Sequence, residues 1–192
     1  MNSFGSGDEP SFMTARLRLD PVREPDLESL HALWTEPSVR RYLWDDVIIP
    51  REKAEETLRK SLASFARDGF GLWALRLIGD QDLIGFAGLR RIAELPLEVE
   101  LLYGLHPRFW GRGLATEAAA ALLERGFVRH GLERVWARAD APNAASFRVM
   151  KRLGMTRCQG PGSASGIVCH AIRREEHETR RIDTRGEASA NS

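Results

Sequence analysis

The chain has 192 residues, of which 43% are hydrophobic and 29% are charged, and it carries two cysteines and a formal net charge of +1. This length and balance predict one globular domain with a sizeable core, and the near-zero charge excludes an overall field that would recruit nucleic acid or an anionic membrane. The sequence shows neither a signal peptide nor a stretch of about 20 apolar residues, so we expect a cytoplasmic protein.

The two ends of the chain are polar, and we expect both to be disordered. Residues 1–13 form a leader rich in glycine, serine and aspartate, and residues 178–192 form a polar tail with few apolar side chains. Segments of this composition bury too little apolar surface to offset the entropy of ordering them. The single domain is therefore expected over residues 14–177.

The predicted secondary structure follows from the period of the apolar residues, about 3.6 in helices and two in strands. Strands are predicted over residues 14–19, 69–78, 82–92, 98–105, 134–139 and 167–172. Helices are predicted over residues 25–33, 51–67, 114–129 and 144–153, with a polar, aromatic connection over residues 36–50. Because strands come first and a strand–helix–strand unit follows, the pattern predicts an α/β (α+β) fold with a mixed sheet, not a doubly wound one.

A turn with two glycines and an arginine connects the strand that ends at Leu105 with the helix that begins at Leu114. Arg108, Gly111 and Gly113 occupy this turn. A strand-to-helix turn of this kind points several backbone N–H groups at one place, where the helix dipole also favours an anion. Glycine lets a phosphate approach the backbone closely, so the turn predicts a phosphate-binding site.

Three kinds of phosphate-binding turn have glycines in such positions. A P-loop is excluded because no Lys-Ser or Lys-Thr pair follows Gly113. A dinucleotide-binding turn would have glycine or alanine where Thr116 stands, and a second mononucleotide-binding half would follow. The third kind has glutamine or arginine, two residues, glycine, any residue, and glycine or alanine, which Arg108, Gly111 and Gly113 match. A tight turn that holds two glycines by chance also fits this short pattern.

A second motif lies in the segment APNAASFRVMKRLGM, residues 141–155. It resembles the Asn-x-x-Ser-x-x-Val-hydrophobic-x-x-Leu-Gly signature of the RimJ/RimL-like branch of the GNAT acetyltransferases. Its positions are occupied by Asn143, Ser146, Val149, Met150, Leu153 and Gly154. The preceding strand is similar to a strand of that branch through Glu100, Tyr103, Leu105 and Pro107, with Leu102 in place of the usual glycine. The third turn pattern above is the pyrophosphate turn of the same family.

The resemblance implies a GNAT fold, with a mixed central sheet of about six to seven strands, about four helices and splayed central parallel strands. It implies an N-acetyltransferase with acetyl-CoA as cosubstrate and no metal, in which an amine attacks the thioester directly in a ternary complex. The cofactor-binding residues that it implies are Tyr103, Gly104, Leu105, Arg108, Phe109, Trp110, Gly111, Arg112, Gly113, Leu114, Ala115, Asn143 and Ser146. A plain helix N-cap explains Asn143 equally well.

The family's reaction needs a base for the amine and a proton donor for the leaving thiolate. Glu100 is the candidate base, acting through a water, and Glu98 on the same face of the strand is its competitor. A surface carboxylate is the alternative interpretation of Glu100. Many GNAT enzymes have a donor tyrosine where this chain has Met150, so Ser146 is the candidate donor, with a plain helix-surface serine as the alternative. Neither cysteine has an electropositive setting, so we expect an inert, buried thiol at Cys169 and no acetyl-enzyme.

The acceptor amine is expected near the first helices and the hairpin strands, at Trp44, Asp45, Asp46 and the loop over residues 159–165. The aspartates would hold a cationic amine, and solvated loop carboxylates are the alternative interpretation. The expected partner is the amine of a peptide N-terminus or of a small molecule, and the protein is expected to be a monomer or a homodimer. A different class is also open: an acyl-CoA-binding module without turnover, which the missing tyrosine favours.

Overall fold

The computed structural model describes residues 11–160 and 166–190, with the backbone alone over residues 183–190. The strands in these ranges are β1 (Phe12–Met13), β2 (Leu17–Pro21), β3 (Leu72–Leu77), β4 (Gly85–Ile92), β5 (Leu95–Leu105), β6 (Arg134–Asp140), β7 (Thr156–Cys158) and β8 (Ile167–Arg173). The α-helices are α1 (Leu27–Thr35), α2 (Pro37–Leu43), α3 (Arg51–Asp68), α4 (Leu114–Val128), α5 (Ala144–Arg152) and α6 (Arg174–Ala190). The predicted mixed α/β fold is confirmed, and the elements that were not predicted are β1, β7, α2 and α6.

The described chain divides into two compact units that share strand β5. The first comprises the residues up to Arg90 together with Leu101–Leu122, and the second comprises Arg91–Glu100 together with the residues from Leu123 onwards. The single domain predicted over residues 14–177 stays a prediction.

The first unit is built on antiparallel strands. β1 pairs with β2, β2 with β3 and β3 with β4, in a register that sets Leu19 opposite Leu75. Apolar residues at helical spacing on α1 and α3 pack with the buried side chains of β3 and β4, and the ring of Trp34 lies 5.8 Å from that of Phe86. Each large apolar side chain buried in this way contributes about 2 kcal/mol. Leu102 of β5 also packs against this core, three residues before the strand ends at Leu105.

The second unit contains the parallel part of the sheet. Its strand order is β5-β6-β8-β7, with β5 parallel to β6 and the other neighbours antiparallel. The parallel ladder is short. It sets Val99 opposite Val135 and Glu100 opposite Trp136. It ends at Glu100 although β5 itself continues to Leu105, which is the geometry that splayed parallel strands require.

The polar C-terminal segment differs from its prediction. Residues 178–190 were predicted to be disordered, but α6 continues to Ala190. Glu124 contacts the first half of this helix, since its carboxylate lies 2.6 Å from Arg181 Nη1 and 3.1 Å from His177 Nε2. At the other end, residues 1–10 of the predicted leader lie outside the described residues, whereas β1 pairs with β2. No helix in the described ranges is both long and apolar enough to cross a membrane.

Candidate active site

Residues 106–116 comprise the connection from β5 to α4 and the first three residues of α4, and are hereafter the glycine turn, which begins with a turn of 3-10 helix. Three N–H groups are used inside it: Arg108 N–H donates to His106 Nδ1 at 3.3 Å, Phe109 N–H to His106 O at 2.9 Å and Trp110 N–H to Pro107 O at 3.1 Å. The indole N–H of Trp110 reaches back to Leu105 O at 2.7 Å. Phe109 and Trp110 are two of the predicted cofactor-binding residues, and their backbone N–H groups are occupied by the turn itself.

The second half of the glycine turn has the opposite character. The backbone N–H groups of residues 111–116 donate to no acceptor in the described chain, and the first that does is Glu117 N–H, to Gly113 O at 3.0 Å. Gly111 and Gly113 adopt φ of 73° and 77°, where a side chain would be strained. Together with the positive end of the α4 dipole, these donors form a cradle for an anion.

Two arginines of the glycine turn carry the positive charge of the cradle. Arg108 and Arg112 are both exposed, and neither forms an ion pair with any residue that the structure describes. The guanidinium of Arg112 lies over the ring of Phe109 at 5.6 Å from its centroid. An exposed guanidinium without a carboxylate partner remains available for a bidentate bond to phosphate.

Three residues that the sequence did not single out anchor the glycine turn. Glu117 accepts hydrogen bonds from Arg16 N–H at 2.8 Å, Arg16 Nε at 2.6 Å and Thr14 Oγ1 at 2.5 Å. Arg16 Nη1 also donates to Arg112 O at 3.0 Å. Burial acts to raise the pKa of Glu117, but the bonds from Thr14 and Arg16 outweigh it and leave that pKa below its usual value. Arg16 and Glu117 are 101 positions apart, so no local signal predicts their contact.

The predicted base lies in a buried ion pair. Glu100 is 3% exposed, and its two carboxylate oxygens accept from Arg138 Nε at 2.9 Å and from Arg138 Nη2 at 3.1 Å. This pairing raises the pKa of Arg138. A buried carboxylate held by both oxygens is not placed to accept a proton from an incoming amine, so the arrangement argues against the predicted role of Glu100.

The predicted competitor is held in a similar way. Glu98 accepts hydrogen bonds from Arg134 and, at 2.7 Å, from the indole N–H of Trp136. The bond from Arg134 holds the pKa of Glu98 below its usual value despite partial burial. Glu98 and Glu100 thus face Arg134, Trp136 and Arg138 across the β5–β6 ladder, and we call these five residues the carboxylate stripe. Their spacing of two on each strand was a signal in the sequence that could have indicated the pairing.

The residues predicted on α5 lie at its first turn. Asn143 is the N-cap, and its Oδ1 accepts the backbone N–H of Ser146 at 3.1 Å. The N-cap interpretation is therefore confirmed, while Asn143 Nδ2 donates to no residue of the described chain. Ser146 is half-buried, and Met150, one turn further along, is 1% exposed.

The three predicted acceptor-binding residues follow α2 but differ in their surroundings. Trp44 packs in the core of the first unit, with its ring 6.0 Å from that of Trp34. Asp46 is paired with Arg40 Nε at 2.9 Å. Asp45 is exposed, adopts an unusual φ of 51°, and has no ion-pair partner in the part of the chain that the structure describes. Of the three, Asp45 alone offers a carboxylate that no described residue pairs with, and residues 161–165 of the predicted acceptor loop lie outside the described residues.

Comparison with known proteins decides the family. The family described as acetyltransferase (GNAT) domain matches residues 16–156, which span the glycine turn, the carboxylate stripe and α5. The chain belongs to the GNAT family. It is an acetyltransferase, as the sequence predicted.

Relatives and solved structures agree with this assignment. Spermidine N(1)-acetyltransferase of Escherichia coli (strain K12) is 24% identical over 147 residues, which are 77% of this chain and 75% of that protein. An acetyltransferase from Agrobacterium tumefaciens str. C58 superposes with a TM-score of 0.79 at 24% identity, over 90% of this chain and 98% of that one. A RimL ribosomal L7/L12 alpha-N-protein acetyltransferase in complex with coenzyme A superposes with a TM-score of 0.72 at 18% identity, over 85% and 98%.

These comparisons show the GNAT fold and acetyl transfer to amines in general. The RimL-type neighbour shares the fold at 18% identity, so the finer placement of this GNAT chain in the RimJ/RimL-like branch stays a prediction. The predicted cofactor residues Arg108–Ala115 lie in one turn, and Asn143 and Ser146 lie on one helix cap. Glu100, in contrast, is brought to Arg138.

Proposed function

We propose that this GNAT enzyme transfers the acetyl group of acetyl-CoA to a primary amine, and that its glycine turn binds the pyrophosphate of the cofactor. The observation that carries the proposal is the run of backbone N–H groups over residues 111–116 that donate to nothing in the described chain. A pyrophosphate presents the acceptor oxygens that such a run of donors lacks.

Two side chains of the glycine turn add positive charge to the proposed pyrophosphate site. Arg108 and Arg112 are exposed and without described ion-pair partners, so each can bind a phosphate oxygen without first breaking an internal salt bridge. A charge-assisted bond of this kind is roughly twice as strong as a neutral one. Asn143 Nδ2, which has no described acceptor, is our candidate donor to the pantetheine amide.

The proposed reaction is a direct displacement. The amine nitrogen attacks the thioester carbonyl carbon, the carbon–sulfur bond breaks, and the sulfur leaves as the CoA thiolate, which then takes a proton. We propose Ser146 as the hydroxyl that hydrogen-bonds this sulfur. Because both oxygens of Glu100 are held by Arg138, we propose that the amine loses its proton to water and that Glu100 positions the strand.

The acceptor is proposed to be a cationic primary amine that Asp45 attracts before deprotonation. Asp45 is exposed and unpaired among the described residues, whereas Asp46 is engaged by Arg40. The names of the compared proteins give two acceptor classes, a polyamine for the E. coli relative and a ribosomal protein for the RimL structure. A polyamine and a peptide N-terminus are therefore the first acceptors to test.

The first experiment measures CoA affinity by isothermal titration calorimetry in wild type, Gly113→Val and Gly79→Val. Both glycines have positive φ, 77° and 87°, so both variants carry similar backbone strain, but Gly79 lies in the turn between β3 and β4. We expect the Gly113 variant to lose at least about tenfold in affinity, or 1.4 kcal/mol, and the Gly79 variant to match wild type. Equal affinities in two folded variants would place the cofactor elsewhere.

The second experiment screens turnover of acetyl-CoA with polyamines and peptides, detecting the acetylated amine by mass spectrometry. A product is expected with at least one of these amines, and Asp45→Asn should raise the KM for it while Asp82→Asn, at an exposed position after the β3 strand, should not. CoA binding with no product from any amine would favour the alternative of an acyl-CoA-binding module without turnover.

A further inference from the structure

Two cysteines face each other on the last strands of the second unit. Cys158 ends β7 and stands directly opposite Cys169 of β8 in the antiparallel register. Both are thiols in this structure. Cys169 is 1% exposed, whereas Cys158 is half-buried. The pair has no role in the acetyl transfer proposed above.

The register brings these two thiols within the range of a disulfide. Residues directly opposite each other on antiparallel strands point to the same face, with Cα atoms about 4.5–5.5 Å apart. A disulfide needs Cα atoms about 4.4–6.8 Å apart and Cβ vectors that do not diverge. Cys158 and Cys169 meet both conditions by their place in the β7–β8 ladder, so little backbone movement is needed to join them.

The surroundings of the pair give the two sulfurs different access. Cys169 lies in an apolar cluster with Ile92, Trp136 and Ala171, and Cys158 packs against the outside of that cluster. Burial and the neighbouring Cys169 raise the pKa of Cys158, and Arg134 opposes them weakly. A reagent in solution therefore reaches Cys158 first, and the raised pKa of Cys158 keeps its thiolate fraction low and slows its attack.

We propose that Cys158 and Cys169 are a site of reversible oxidation, which a low-molecular-weight disulfide such as oxidised glutathione converts into a cross-strand disulfide. The thiolate of Cys158 attacks one sulfur of oxidised glutathione and releases the first glutathione. Cys169 then loses its proton to solvent and attacks Sγ of Cys158, which releases the second glutathione. Two protein thiols lose two electrons and two protons, and one glutathione disulfide is reduced to two thiols. The bond ties the three-residue edge strand β7 to β8.

The sequence allows a direct test by mass spectrometry. No lysine or arginine lies between Cys158 and Arg173, so trypsin releases both cysteines in one peptide, residues 158–173. The folded full chain is incubated with oxidised glutathione at about pH 9, because the raised pKa of Cys158 leaves little thiolate near neutral pH. It is then alkylated and digested. We expect the peptide without two hydrogens and without alkyl groups, and its return to the doubly alkylated form after dithiothreitol. A peptide that carries stable glutathionyl groups, or two alkyl groups after prolonged oxidation, would overturn the proposal.

Single-cysteine variants test the order of the steps. Cys169→Ser keeps the accessible sulfur and should stop at a mixed disulfide with glutathione, while Cys158→Ser keeps only the buried sulfur and should react at least about tenfold more slowly. Equal rates would contradict the proposed order.

The thermal unfolding midpoint tests whether the bond fits the native sheet. In oxidised wild type we expect a rise of about 5 °C, reversed by reduction and absent from both single-cysteine variants. A fall in the midpoint on oxidation would show that the register does not accommodate the disulfide.

Discussion

The glycine turn and the carboxylate stripe both concentrate polar groups, but they differ in where the partners of those groups are found. In the stripe, Glu98 and Glu100 are engaged by Arg134 and Arg138 inside the same unit. In the glycine turn, the N–H groups of residues 111–116 meet no described acceptor. The carboxylates of the stripe are paired within the chain, whereas the N–H groups of the glycine turn remain available to a ligand.

This difference bears on how a site is recognised. The carboxylate of Glu100 lies in a strand motif of the family, which suggests a catalytic role. A buried ion pair is nevertheless needed for the stability of the fold, because removing one partner leaves the other charge buried. Every helix start leaves backbone donors unused, but here two glycines with positive φ and two exposed arginines stand beside them. This combination favours the glycine turn over the stripe as the anion-binding site.

The largest expected effect comes from removing one partner of a buried ion pair in the carboxylate stripe. Arg138→Met removes the partner of a carboxylate that is 3% exposed, so we expect the free energy of unfolding to fall by about 3–5 kcal/mol. Urea denaturation measures this loss. Arg59→Met, at an arginine whose side chain is 66% exposed, is the matched control and should stay within about 0.5 kcal/mol of wild type. A loss below about 1 kcal/mol at Arg138 would mean that the stripe is not a structural element.

The next effect separates binding from stability in the glycine turn. Arg108→Gln removes an exposed guanidinium without a described ion-pair partner. CoA affinity should fall about tenfold, or 1.4 kcal/mol, while the free energy of unfolding changes by less than about 0.5 kcal/mol. Calorimetry and urea denaturation on the same preparation measure both, with Arg59→Gln as the control. A stability loss without an affinity loss would make Arg108 a structural residue like those of the stripe.

A smaller, mixed effect is expected at the anchor of the turn. Glu117→Gln weakens the bonds from Thr14 and Arg16, so the free energy of unfolding should fall by about 1 kcal/mol. CoA affinity should fall by about fivefold, because the donors remain but are held less firmly. The same two measurements apply. An intact affinity together with lost stability would show that the turn keeps its shape without this anchor.

The smallest expected effect is on the free energy of unfolding at acidic pH. The pKa of Glu98 is lowered in the folded protein by Arg134, so the native state binds fewer protons there than the unfolded state. The stability that this pair contributes is present above the ordinary pKa of 4.5 and is lost as the pH falls through the lowered pKa. Urea denaturation between about pH 6 and pH 3 should therefore show a shallower decline in Glu98→Gln than in wild type. Parallel declines would contradict the assigned role of Arg134.

Local patterns were predictable from the sequence. The start of α4 at Leu114 and the N-cap at Asn143 follow from residues within a few positions of each other, and the structure confirms both. α2 was missed because it lies in a short polar connection, where Pro37 begins seven helical residues. Such a short helix carries too few apolar positions to show a period.

Long-range contacts were not predictable in the same way. The anchor of the glycine turn joins Arg16 to Glu117 across 101 positions, and Glu124 contacts His177 and Arg181 of α6 across more than 50 positions. The composition of a polar tail does not reveal which distant residue its side chains contact. The ion pair of Glu100 was not predictable for the same reason, because the β5–β6 ladder brings Arg138 to it from a distant part of the chain.

Backbone amide NMR shows whether the unused N–H groups of the glycine turn bind the pyrophosphate of CoA, as we propose. The ¹⁵N-labelled protein is titrated with CoA and, separately, with pantetheine, which lacks the pyrophosphate. We expect the amide signals of Gly111 and Gly113 to move with CoA and to stay in place with pantetheine, because only CoA supplies the acceptor oxygens. Saturation with CoA that leaves both signals unmoved, while signals elsewhere shift, would mean that the glycine turn does not bind the pyrophosphate.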